Sequence, residues 1–149
     1  MDSLTFGQRH KKGQTLKNGS TIADRKYLDF IISGQSLGQL FGLTDGDLIG
    51  TFGWMVNKEY ENKLIDEFLG LVKPELETGR TSFYVCPECG DIGCGAITAK
   101  IITTDSKVIW QDFGYENNYS EPDLTNYKHV GPFSFDKTEY RDTFVKLKG

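Results

Sequence analysis

Cys86, Cys89 and Cys94 are the residues of this chain whose type and spacing could do chemistry, because they are all of its cysteines and fall within nine consecutive positions. They stand in the run Cys86-Pro87-Glu88-Cys89-Gly90-Asp91-Ile92-Gly93-Cys94-Gly95, a C-x2-C-x4-C pattern between two segments that read as strands. Thiols so spaced could hold a metal, run thiol chemistry or pack a tight loop. The zinc reading starts from Cys86-x-x-Cys89-Gly90, where a glycine after the second thiolate permits the turn that aims backbone amides at sulfur; Gly95 follows Cys94 in the same relation. A structural zinc site takes four protein ligands, yet there is no fourth cysteine, and the position at which a zinc knuckle would continue its ligand set is Ala99. His129, Asp91 or His10 would have to complete the shell, and His129 is the best placed, in a segment expected to be ordered. The expected cofactor is therefore none, or zinc on Cys86, Cys89, Cys94 and His129.

The redox reading is weaker in its mechanics. A thioredoxin-like site sets its first cysteine at the start of a sustained helix, which lowers the thiol pKa, and Gly90 and Gly93 break any such helix here. A regulatory disulfide among the three remains open. Cysteine nucleophilic catalysis would need a histidine and an orienting carboxylate, for which His129 and Asp112 are the only candidates, and their spacing does not support it. No Gly-rich phosphate loop, paired-His metal motif or serine elbow occurs, so no catalytic residue is assigned.

A second constellation runs from Trp110 to Asp123, where aromatic and acidic residues alternate. Aromatic anchors supply buried area and flanking acids steer a basic protein partner, which makes Asp112, Tyr115, Glu116, Tyr119, Glu121 and Asp123 the candidate partner-binding residues. The structural alternative puts Trp110 and Phe113 in the core and leaves Glu116, Glu121 and Asp123 solvated.

The chain that positions these groups has 149 residues, enough for one domain with its own core. An apolar content of 38%, with ten Phe, seven Tyr and two Trp, argues against disorder. The net charge of −4 divides unevenly: residues 1 to 26 carry six Lys or Arg against two Asp, a net +4, leaving −8 for residues 27 to 149. An acidic body suits neither DNA nor an anionic membrane, and the Arg9, Lys11, Lys12 cluster lacks the aromatic neighbours of a single-strand binder. No apolar run in the first twenty residues could form a signal-peptide core, and no membrane-length apolar stretch occurs, so the expected location is the cytoplasm. An odd number of close cysteines fits a reducing compartment.

Residues 1 to 24 read as a basic arm, mobile or a loosely attached hairpin, and residues 25 to 149 as a single α+β domain. Tyr27 to Ile32 reads as a strand stopped at Ser33-Gly34, Ser36 as the cap of a short helix over Leu37 to Phe41, and Leu48 to Trp54 as a further strand. From Asn57 the spacing predicts a helix ended by Pro74, with Tyr60, Leu64, Ile65, Phe68, Leu71 and Val72 facing the core. Thr81 to Cys86, Ala96 to Thr103 and Val108 to Phe113 read as an antiparallel meander, the last two joined by a turn at Thr104 to Lys107. Asp136 and Glu139 form an acidic capping box, with Phe135 and Tyr140 as its hydrophobic staple, for a helix from Lys137 to about Leu147. The expected architecture is an antiparallel or mixed sheet of four or five strands around that meander, with helices on one face.

The run from Val85 to Ala96, with Val108-Ile-Trp-Gln-Asp-Phe113 and Gly131-Pro-Phe-Ser-Phe-Asp136, resembles a family of small uncharacterised bacterial proteins, some loosely labelled oxidoreductases. The resemblance spans roughly residues 25 to 145 and implies no particular reaction. By analogy of size and charge, small acidic bacterial proteins often serve as immunity partners of toxins. The expected function is thus a non-catalytic bacterial binding protein, an immunity protein that masks a basic toxin with its acidic aromatic surface. The alternative is a zinc-binding or thiol-redox protein centred on the cysteine loop.

Overall fold

The computed structural model describes the chain except residues 12–13, 16–18, 20, 23–24, 43–48, 54–57, 75, 77, 86–94, 118–119 and 148–149. Strand β1, Leu4–Lys11, pairs antiparallel with β4, Arg25–Ile32, from Leu4 opposite Ile32 to Lys11 opposite Arg25. The short strands β2, Gln14–Thr15, and β3, Thr21–Ile22, pair beyond them. Within the arm expected over 1 to 24 as mobile or a loosely attached hairpin, Leu4–Lys11 is a strand paired along its whole length. Leu4 is buried in the core, Phe6 packs on Phe30 at 5.4 Å and on Phe144 at 5.5 Å, and Arg9 reaches Asp29 at 3.2 Å. The alternation Leu4, Phe6 with Thr5 outward is the period of a half-buried strand, short enough to be hidden by the basic residues that follow it.

Ser33 and Gly34 join β4 to β5, Gln35–Ser36, with φ of 48° and 85°, the left-handed pair that a tight hairpin turn requires. Ser36 then caps α1, Leu37–Leu40, its hydroxyl accepting from the Gln39 amide at 3.2 Å.

Among the described residues the main sheet has six strands. The expected meander is present as β7, Thr81–Val85, β8, Ala96–Thr103, and β9, Lys107–Asn117, with β6, Ile49–Gly50, against β7. The outer edge of β9 is shared: β10, Ser120–Asp123, pairs with its end and β11, Phe133–Asp136, with its beginning. Of the strand expected over Leu48 to Trp54, Ile49–Gly50 pairs with β7 and Phe52 bridges Leu28, while Leu48 and Trp54 lie outside the described residues. Asp136 caps α3, Lys137–Val145, by accepting from the Glu139 amide at 3.0 Å, and Phe135 lies 5.6 Å from Tyr140 as the staple requires. Helix α2, Lys58–Phe68, buries Leu64, Ile65 and Phe68. It stops before the expected Pro74, because Gly70 at φ 74° closes it: the Leu71 amide donates to Asp66 O at 2.9 Å and the Gly70 amide to Glu67 O at 3.1 Å. Leu71 and Val72 consequently leave the core, at 68% and 40% exposure, and Tyr60 is exposed as well. The class is α+β.

The two sheets and two longer helices meet in one aromatic core. Phe30 of β4 touches Phe83 and Tyr84 of β7, Trp110 of β9, Phe68 of α2, and Phe52. The Trp110 indole donates to the Tyr140 hydroxyl at 3.1 Å, which donates to Phe68 O at 2.7 Å, so one phenol ties β9, α2 and α3 together. Burial pushes the Tyr140 pKa well above 10.0, and burial, with the Asp29 charge and hydrogen bond, does the same for Tyr84. A phenol held neutral in the folded state and free to ionise in the unfolded one contributes stability that is whole below pH 10.0 and lost as pH rises beyond it. Stability measured against pH should therefore fall from about pH 10 upward, by at most about 1.4 kcal/mol per pH unit for each such tyrosine, and Tyr140→Phe should flatten that limb. An unchanged limb in that variant would place its origin elsewhere.

Candidate functional site

Strand β9 carries an extra residue against β8. Thr98 lies opposite Gly114 and Lys100 opposite Gln111, so Asp112 and Phe113 together face Ala99. Asp112 adopts φ 57°, a left-handed conformation that aspartate tolerates better than most side chains. This bulge lets Trp110 and Phe113, three apart, both point into the core, and it turns Asp112 outward.

Arg80, which precedes β7, fixes the bulge from beneath. Its Nη2 donates to the carbonyl oxygens of Thr98, at 2.8 Å, and of Asp112, and its Nε donates to Thr98 Oγ1 at 2.8 Å. Glu116 neutralises it: Oε1 stands 3.5 Å from Arg80 Nε and accepts from Thr98 Oγ1 at 2.9 Å, while Oε2 accepts from Thr78 Oγ1 at 2.9 Å. Arg80 and Glu116 are 3% and 4% exposed. Burial pulls the Arg80 pKa below its ordinary value, with Glu116 and Asp112 opposing the shift. Glu116 was expected on the acidic surface and is removed from it, because β9 turns its side chain towards a buried guanidinium 36 positions earlier in the chain.

Asp112 itself is exposed and stands at an open cleft of about 320 Å³ whose walls include Phe113, Leu124, Tyr127, Val130 and Pro132. Among the described residues no side chain hydrogen-bonds or ion-pairs with its carboxylate. The far wall is positioned by β10 and the 3-10 turn Thr125–Tyr127 that follows. Asp123 accepts from the Thr125 amide at 2.9 Å, and those hydrogen bonds to Thr125 hold its carboxyl below the usual range. Leu124 lies so close over Gly114 that a β-carbon there would come within 2.5 Å of it. Tyr127 is braced from behind by Phe41, ring centroids 5.0 Å apart.

No family model, curated protein or solved structure matches this chain. The site is accordingly defined by its own geometry.

Of the residues singled out in the sequence, the structure brings Asp112 and Asp123 to the surface around the cleft, with Tyr115, 37% exposed, on the strand between them. The Tyr115 hydroxyl occupies the space over Gly95, which has φ 95° and immediately follows Cys94. Gly95 and Tyr115 thus adjoin where β8 and β9 pair, with Ala96 opposite Glu116. Cys86, Cys89, Cys94 and Tyr119 lie outside the described residues, as does the Glu121 side chain. His129 is exposed, its Nε2 3.4 Å from Leu40 O. Among the described residues no group of three His, Cys, Asp or Glu is placed to hold a metal ion, and no helix is long and apolar enough to cross a membrane. Tyr127 and the cleft were not foreseen: the signal that could have found them is the Trp110-x-x-Phe113 spacing, which no regular strand can bury on one face.

A second polar centre surrounds Asp29, which is fully buried. Oδ1 accepts from the Tyr84 hydroxyl and, at 2.9 Å, from the Phe30 amide; Oδ2 accepts from the Ser36 hydroxyl and stands 3.2 Å from Arg9 Nε. Each oxygen is engaged by two donors, so the carboxylate has no capacity left for a reacting group, and it serves to tie β1, β4, β7 and the cap of α1 together.

Proposed function

We propose that this chain is a binding protein that masks a basic protein partner, acting as an immunity protein towards a basic toxin, and that it docks through the surface of Asp112, Tyr115, Asp123 and Tyr127. The observation that carries this reading is the exposed Asp112 on a left-handed bulge, its backbone clamped by buried Arg80, on the lining of a cleft that also holds Phe113 and Tyr127. Bulges re-aim side chains, and strained backbone is retained where the surroundings over-determine it. A charge presented this way on a rigid strand loses little freedom on binding, and the −8 body around it speeds the encounter with a cationic surface. Lys128, on the same cleft, is a cation that works against it there.

The variant Asp112→Lys/Asp123→Lys tests the assignment. Partner affinity should fall by about 100-fold or more through reversal of close charge pairs, and Asp112→Asn/Asp123→Asn, which keeps the left-handed residue at 112 and an acceptor for the Thr125 amide at 123, should also weaken binding and so separates charge from local backbone change. Charge reversal at Asp105, exposed in the turn between β8 and β9, is the control and should leave affinity within a factor of about three. Equal loss from the two charge reversals would reduce the effect to overall charge and remove the site.

A further inference from the structure

The cleft beside Asp112 has a shape and chemistry that select one kind of side chain. Its lining combines Phe113, Leu124, Tyr127, Val130 and Pro132 with the polar Gln111 and Lys128 and with Asp112, an exposed carboxylate that no described side chain hydrogen-bonds. A group that fits must combine an apolar stem with a cationic head. We infer that the cleft receives a single arginine side chain projecting from the partner, the guanidinium paired with the Asp112 carboxylate and laid against the Tyr127 ring; this rests on the binding role proposed above. Arginine suits the place better than lysine. Its planar fork matches a carboxylate in two parallel hydrogen bonds, it is more weakly hydrated than an ammonium, and it stacks on aromatic faces. A volume of about 320 Å³ accommodates the guanidinium with its methylene stem.

The bulge explains why the carboxylate can be held ready. Arg80 donates to the Asp112 carbonyl, fixing the backbone from which the side chain projects, while Phe41 braces Tyr127 on the opposite wall. Neither wall has to be ordered when the arginine enters. Lys128, exposed on the same cleft, is a cation of the chain's own that disfavours a second one there.

The test is a backbone-amide NMR titration of the full chain with Nα-acetyl-L-arginine amide, with the lysine analogue as comparator. Saturable shifts should appear at Gln111 to Gly114 and Tyr127 to Gly131, with the arginine amide bound at least about fivefold more tightly than the lysine amide. Asp112→Asn, whose asparagine also accepts a left-handed backbone, should weaken binding about tenfold, and Lys128→Gln should strengthen it severalfold. Absence of saturable shifts, equal affinity for the two amides, or indifference to Asp112→Asn would each overturn the inference. The outcome is separable from the binding role itself: charge-dependent retention of a partner without arginine selectivity would overturn only this pocket, and arginine binding in a protein that holds no partner would overturn only the role.

Discussion

Arg80→Met should lower the unfolding free energy by about 3–5 kcal/mol, because it leaves Glu116 charged, buried and without its counter-ion. The same change strips the donor from two carbonyl oxygens, those of Thr98 and Asp112. The second of these is the clamp on the left-handed residue, so amide signals of Gln111 to Gly114 should move in any folded fraction. The double variant Arg80→Met/Glu116→Leu should recover much of the loss, since removing both charges ends the desolvation cost that a single replacement exposes. Urea denaturation of the wild type, both single variants and the double closes the cycle. A single-variant loss under about 1 kcal/mol would mean that the pair is effectively solvated, and that the bulge stands without it.

Phe30→Ala should be comparably severe, at about 3–5 kcal/mol. Phe30 has no exposed surface and touches Phe6, Phe52, Phe68, Phe83, Tyr84 and Trp110 at ring-centroid distances of 5.2–6.0 Å. These rings come from both sheets and from α2, so the cavity cannot collapse by moving one element. Phe30→Leu should cost distinctly less and keeps the comparison within a folded protein. The check is again the denaturation midpoint; a loss under about 1.5 kcal/mol for the alanine variant would show that the two sheets are packed independently of this ring.

Local chemistry in the sequence was readable where one short segment contains both halves of a contact. The cap at Asp136 with Glu139, the staple of Phe135 on Tyr140, the Ser36 cap and the hairpin at Thr104 to Lys107 are all of this kind, and all are present. Errors arose where a stronger signal masked a nearer one. Pro74 drew the end of α2 past Gly70, although a glycine free to take positive φ ends a helix as surely as a proline does. The cations of residues 9 to 12 concealed the strand begun by Leu4 and Phe6.

The site was half legible. Asp112, Tyr115 and Asp123 follow from composition, but the burial of Glu116 depends on Arg80, a partner remote in the chain that no periodicity announces. The bulge was written in the Trp110 and Phe113 spacing, which departs from the period of two that strands obey. Asp29 is the converse case, a charged residue inside an apolar strand run, made tolerable only by donors from three other elements.

Native mass spectrometry of the tagged chain, isolated gently from cells that make it naturally, tests the central claim most directly. The account predicts a stoichiometric complex with a basic protein, retained by the wild type and by the Asp105→Lys control and lost from Asp112→Lys/Asp123→Lys. A complex that survives that double charge reversal, or a chain that carries no protein partner under conditions that preserve weak assemblies, would contradict it.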